Sequence, residues 1–138
     1  MVSALTMLAL DEMLARYAGY EELAELIRHR FADASATLRE LYSRLVFNIL
    51  CGNTDDHARN HAGQILLSRA QAIEIVSRQL TCIIDQWDTV CAEAALSVTD
   101  RTFLWGRQFL NPFAFEDLNG DAAHLKIMAD TARSRAGG

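Results

Sequence analysis

The polar run Gly52-Asn-Thr-Asp-Asp-His-Ala-Arg-Asn-His61 gathers more reactive side chains than any other stretch of this sequence. Within it Asp55 and Asn60 enclose four residues. A carboxylate and a carboxamide so placed suit phosphoryl transfer. The carboxylate orients a hydroxyl and accepts its proton, while the carboxamide oxygen ligates a magnesium ion that bridges nucleotide phosphates. Both groups must converge within a few ångströms of the transferred phosphoryl group, which a tight, well-anchored loop can arrange. The spacing also arises by chance. Asp55 and Asp56 can equally cap a helix end and a turn. His57 and His61 stand four apart, as metal ligands on one helix face would, but no glutamate follows His57 and the stretch begins as loop.

A helix must hold this run in place. Thr37-Leu-Arg-Glu40 has the spacing of a capping box, and the helix it opens carries Leu41, Leu45 and Ile49 on one stripe, flanked by Val46 and Phe47, before ending at Gly52. Upstream, Leu5, Leu8 and Met13 predict a helix over 3–17, with Gly19 as its C-terminal stop. Leu23, Leu26 and Ile27 predict another over 20–31, and Asp33-Ala-Ser-Ala reads as a polar break. Downstream, 64–67 reads as a short strand or the start of a helix. Ile73, Val76, Leu80, Ile84, Trp87 and Cys91 then recur at steps of three and four, predicting a long helix over 70–94. Ser97-Val-Thr-Asp100 resembles a second cap, Asn111-Pro112 stops the element it opens, and 121–132 reads as a weaker last helix, with 134–138 fraying. Trp87 and Trp105 fit helical core stripes. Phe109, Phe113 and Phe115 around Pro112 pin the returning chain onto the core, or else leave an apolar patch that favours self-association. His29 and His124 read as surface residues. The fold class is all-α, in one domain over 1–138.

Composition narrows the partners. The chain has 138 residues, 51% of them hydrophobic, and a net charge of −5. The acidic balance argues against direct nucleic-acid binding, which needs a basic face. No segment reaches the ~18 consecutive apolar residues of a membrane span, and the N-terminus lacks the positive stretch of a signal peptide. Cys51, Cys82 and Cys91 are odd in number, form no CxxC pair and sit in apolar stretches, so they read as buried free thiols in a reducing compartment. Cytoplasmic localisation follows as the expectation.

Three segments carry a likeness to a known family. Ser3-Ala-Leu-Thr-Met-Leu-Ala-Leu-Asp-Glu12, Arg39-Glu-Leu-Tyr-Ser-Arg-Leu-Val-Phe-Asn48 and Gly52-Asn-Thr-Asp-Asp-His-Ala-Arg-Asn60 together resemble HipA proteins. These are bacterial serine/threonine kinases, the toxin half of toxin–antitoxin pairs. The stretch Trp87–Asp117, including Phe109-Leu-Asn-Pro-Phe-Ala-Phe115, also resembles the family's C-terminal end. The resemblance implies a kinase-like C-terminal lobe in which Asp55 is the catalytic base and Asn60 the magnesium ligand. Arg59 and His57 would stand on the nucleotide side, Arg59 offering charge to a phosphate and His57, like Asp56, able to orient the loop. It implies Mg2+ and ATP as cofactors, and an antitoxin or a kinase homologue as partner.

The sequence also departs from a working kinase. The only lysine is Lys126, so none precedes Asp55 where a kinase places its ATP-binding lysine, and nothing upstream is glycine-rich. Arginine is no equivalent compact charge. The second magnesium aspartate expected after Asn60 is missing, since Ala62-Gly-Gln-Ile-Leu-Leu-Ser68 runs almost directly into the long helix. An internal deletion near 62–72 and loss of the N-terminal lobe would account for both. The expectation is therefore an all-α remnant of a kinase C-terminal lobe, inactive alone. The alternatives are a pseudokinase-like module that binds an antitoxin or a full-length kinase, and a gene remnant without function.

Overall fold

The computed structural model describes residues 19–53 and 67–135. Among them every regular element is helical, and no strand forms. The elements are α1 (Tyr20–Arg30), α2 (Ala34–Leu50), α3 (Arg69–Glu93), α4 (Val98–Leu104), short 3-10 turns at Pro112–Phe115 and Gly120–Ala122, and α5 (Ala123–Arg135). None is long and apolar enough to cross a membrane. The helix expected over 3–17 lies outside the described residues.

Gly19 serves the element after it. It is extended, with φ −87° and ψ 162°, and its N–H donates to the Glu22 carboxylate at 2.8 Å, so it caps the start of α1. The start of α2 differs from the sequence expectation. Asp33 accepts from the Ala36 N–H at 3.0 Å and is the N-cap, so the supposed polar break is the first helical turn. Thr37 instead donates its hydroxyl to the Asp33 carbonyl at 2.8 Å, and Glu40 pairs with Arg44 at 2.9 Å. A free Asp at the true N-cap outcompetes a Thr four residues inside, because only the former faces unpaired N–H groups.

Two apolar clusters share a seam. One joins α1 to α2 through Ala24, Ile27, Leu38 and Leu45; the other joins Val46 and Leu50 to Ile75, Leu80, Trp105, Leu110, Phe115, Leu125 and Ala129. Tyr42 and Leu67 pack against both. The buried face of α2 is therefore Leu38, Leu45, Val46 and Leu50, while Ile49 remains 39% exposed. The face turns because α2 must touch α1 along its first half and α3 along its second. Gln79 adds a polar rivet, its Nε2 donating to the Ser43 carbonyl at 2.8 Å and hydroxyl at 2.7 Å.

Helix α3 starts on a Ser68–Gln71 capping box. Its first residue Arg69 pairs with Asp121 at 2.7 Å, and this hydrogen bond lowers the Asp121 carboxyl below its usual pKa. Both side chains are exposed, so the pair contributes little to stability. Leu67 and Ser68 are thus integrated into the fold at the downstream side of the suspected junction; residues 62–66 lie outside the described ones. Ser97 caps α4 as its spacing predicts, accepting from the Asp100 N–H at 3.1 Å. Of the residues read as a fraying end, Ser134 and Arg135 belong to α5, the Ser134 hydroxyl donating to the Asp130 carbonyl at 2.7 Å, and 136–138 lie outside the described residues.

The thiols divide by depth. Cys91 is buried and Cys51 half-buried, but Cys82 is exposed, contrary to the reading of three buried thiols. Cys82 lies off the stripe that carries Cys91, on the wall of an open cleft between α2 and α3. Of the three phenylalanines near Pro112, Phe115 is buried at 1% exposure and Phe109 half-buried, whereas Phe113 is 59% exposed.

Helix α3 ends in a Schellman motif, in which Leu96 N–H donates to the Cys91 carbonyl and Ala95 N–H to that of Ala92, both at 3.0 Å. The left-handed position belongs to Ala95, with φ 52°. Relief of its Cβ strain outweighs the extra chain entropy of glycine, so Ala95→Gly should stabilise the fold by about 0.5–1 kcal/mol. A rise in the urea midpoint at unchanged slope is the expected reading.

Candidate functional site

The polar run leaves the C-terminus of α2. A helix end leaves its last carbonyls without intrahelical partners, and a buried orphan among them is costly. Here every carbonyl from Phe47 to Gly52 is satisfied. Cys51, Gly52 and Asn53 donate their N–H groups back to Phe47, Ile49 and Asn48, at 2.9, 3.1 and 2.8 Å. The remaining three carbonyls are met from far along the chain. Leu110 N–H donates to Leu50 at 2.8 Å. Gln108 Nε2 donates to Gly52 at 2.6 Å and, more weakly, to Cys51 at 3.4 Å.

The donors belong to a tight turn after α4. Leu104 O accepts from both Gln108 N–H at 2.9 Å and Phe109 N–H at 3.0 Å, and Gly106 N–H donates to Phe109 at 2.8 Å. Aromatic packing seats this turn on α3. Trp87 meets Trp105 at a ring-centroid distance of 4.5 Å and Phe109 at 5.0 Å. Helix α5 holds it from the other side: Trp105 Nε1 donates to the Ala132 carbonyl at 3.1 Å, and Arg133 to that of Leu110 at 2.8 Å. Both tryptophans are therefore structural, as the stripes predict, although Trp105 follows α4 rather than belonging to it.

Gly52 sits at the point of departure in the left-handed region, φ 64°. A Cβ there would collide with the backbone carbonyl of Gln108. The position thus requires glycine twice over, by conformation and by space. Leu110 is also left-handed, φ 54°, and fully buried. Two unusual backbone conformations therefore flank one junction. Sequence reasoning located Gly52 as the helix stop but missed Gln108 and Leu110.

The reactive side chains themselves follow this stem. Asp55, Asp56, His57, Arg59, Asn60 and His61 lie outside the described residues, as does the candidate metal pair His57 and His61. Beside the stem, Ser43, Arg44, Phe47, Asn48, Gln79, Cys82 and Ile83 line an open cleft of about 470 Å³ between α2 and α3. The Cys51 thiol at the stem is pushed up to about 11 by burial.

The sequence model of the HipA-like C-terminal domain matches residues 1–132. The chain belongs to this family. The match spans the polar run together with the turn that holds its stem. No curated protein and no solved structure matches the chain. In this HipA-like domain the stem from Leu50 to Asn53 is held by the turn at 104–110.

Gly52→Ala should destabilise the domain by at least about 1–2 kcal/mol from its φ alone, with further loss from the contact with Gln108, as measured by urea unfolding. Alkylation gives an independent check of burial. With its thiol near 11, Cys51 is ionised to only about one part in a thousand at pH 8. Iodoacetamide at that pH should label the exposed Cys82 first, leaving Cys51 and Cys91 unmodified until denaturant is added; mass spectrometry of tryptic peptides reads the order.

Proposed function

We propose that this HipA-like domain is the part of a serine/threonine kinase that carries the catalytic loop, in a toxin–antitoxin setting. Asp55 acts as the base that takes the proton of the substrate hydroxyl, and Asn60 ligates magnesium. The observation that carries this reading is the family match across Asp55 and Asn60, joined to a stem whose departure is fixed by hydrogen bonds from a distant turn. Phosphoryl transfer depends on positioning and on charge stabilisation more than on covalent chemistry, so a fixed stem is what such a loop needs.

Magnesium-bound ATP supplies the phosphoryl group and neutralises charge on it. The 138 residues hold no lysine ahead of Asp55 and no glycine-rich stretch, so groups that clamp the nucleotide must come from outside them. Electrostatic stabilisation usually contributes more to catalysis than any other effect, and the domain alone is accordingly inactive.

A second reading, a module that docks an antitoxin or a kinase homologue, has support in exposed apolar side chains. Phe47, Phe103 and Phe113 are 52%, 60% and 59% exposed. Neither reading involves a membrane or nucleic acid.

Calorimetric titration with Mg-ATP separates the two. Weak binding abolished by Asn60→Ala and retained in Asp55→Asn is expected if the loop keeps its magnesium site. Absence of heat in the unmodified protein, with a stable complex on pull-down from cells, would leave the docking role.

A further inference from the structure

We propose that Gln108 is the positioning residue of the polar run, the group that fixes the direction in which the chain leaves α2. The proposal rests on the kinase reading above for its purpose, but its geometry stands on described residues alone. Gln108 meets Gly52 from two sides. Its side-chain amide donates to the Gly52 carbonyl at 2.6 Å and reaches the Cys51 carbonyl at 3.4 Å. Its backbone carbonyl occupies the space that any side chain at position 52 would need.

Two facts separate this role from ordinary packing. First, Gln108 is exposed, so water competes for its hydrogen bonds and little stability depends on them. The buried core closes without it, through the Leu110 to Leu50 bond one step earlier. Second, the bonds go to the last two carbonyls before Asn53, where rotation about a few backbone dihedrals would swing everything beyond. A surface amide that adds little to folding but holds the exit dihedrals does geometric work. The turn behind Gln108 cannot easily yield, because Trp105 and Phe109 pack with tilted rings against Trp87 and Arg133 holds Leu110. Gln108 is thus a rigid arm reaching from the α3–α5 core to the stem.

The chemistry of the amide allows a test that packing would not pass. A glutamate at 108 has the same shape, yet its carboxylate offers no donor to the two carbonyls. Once protonated it offers one. Facing two acceptors, it should also titrate at or above the usual ~4.3. In Gln108→Glu the amide NMR signals of residues 51–60 should be displaced at pH 7 and return toward those of the unmodified protein as pH falls through that pKa. In Gln108→Leu they should be displaced at both pH values, and the Asn53 N–H, bonded to Asn48 in the stem, should exchange about two- to tenfold faster. The combined tryptophan fluorescence of Trp87 and Trp105 should be unchanged in both variants.

Signals that coincide with the unmodified protein in Gln108→Leu would overturn the proposal. So would a displacement in Gln108→Glu that ignores pH. Failure of Gln108→Leu to fold, read by circular dichroism, would make Gln108 a structural residue and overturn it too. Added Mn2+ bears on the kinase reading separately: absence of broadening near Asn60 would count against a magnesium site while leaving the role of Gln108 intact.

Discussion

A helix that ends inside a protein must find partners for its last carbonyls; at the end of α2 three are met locally, and those of Leu50, Cys51 and Gly52 are met by the distant turn at 108–110. Leaving the carbonyl of a residue as buried as Leu50 unpaired would cost about 1–3 kcal/mol, a sizeable part of the marginal stability of a small domain. Once Leu110 is committed to that carbonyl, much else follows. The chain must turn sharply after α4 to present Leu110 and Gln108 side by side. That turn tolerates left-handed φ at Gly106 and, less easily, at Leu110 itself. It must also rest on something, and Trp105 and Phe109 pack with tilted rings against Trp87 on α3. The capping of one helix end thereby sets the relation of α2, α3 and α5.

Stability and geometry come from different residues. Ile75, Leu80, Leu110, Phe115 and Leu125 are exposed by 1% or less and supply the apolar burial that opposes chain entropy. The ion pairs Arg39–Glu74, Arg44–Glu40 and Arg69–Asp121 lie at the surface, where such pairs contribute little. Between these extremes stand the polar contacts at the stem. They are few, directional and tied to backbone carbonyls, so each fixes a dihedral more than it adds free energy. The proposed catalytic role would depend on contacts of that kind.

How much of this the sequence revealed depends on the range of the interaction. Helices α1, α3 and α5 follow from local periodicity, and the Ser97 cap from a four-residue pattern, because the cause and the effect lie within one or two turns. Where two local signals competed, the pattern misled. Asp33 and Thr37 both offer capping chemistry, and only the position of the free N–H groups decides between them. The stripe through Ile49 failed for a different reason. Two neighbours, α1 and α3, pull the buried face of α2 around to Leu50, and no single-helix pattern records a neighbour's angle. Cys82 lay in an apolar run yet is exposed in the open cleft between α2 and α3, since hydrophobic composition does not say which side of a long helix is covered. The stem was half legible: a glycine after a buried helix announces a left-handed turn, but nothing near Gly52 points to Gln108.

That division bears on what the stem is for. The Leu50 to Leu110 bond is explained by folding alone, since both residues are buried and a core needs its polar groups paired. It would be present whether the domain served catalysis or docking. The Gln108 amide is not explained in that way, because an exposed side chain could leave the Cys51 and Gly52 carbonyls to water at little cost. A docking module needs only a surface, and would be indifferent to the dihedrals at which the next residues depart. Phosphoryl transfer is not indifferent, because an acid and a metal-binding amide misplaced by an ångström lose much of their effect. Control of Gly52 beyond what folding requires is what the proposed catalytic loop calls for, and what a plain connecting loop would not need.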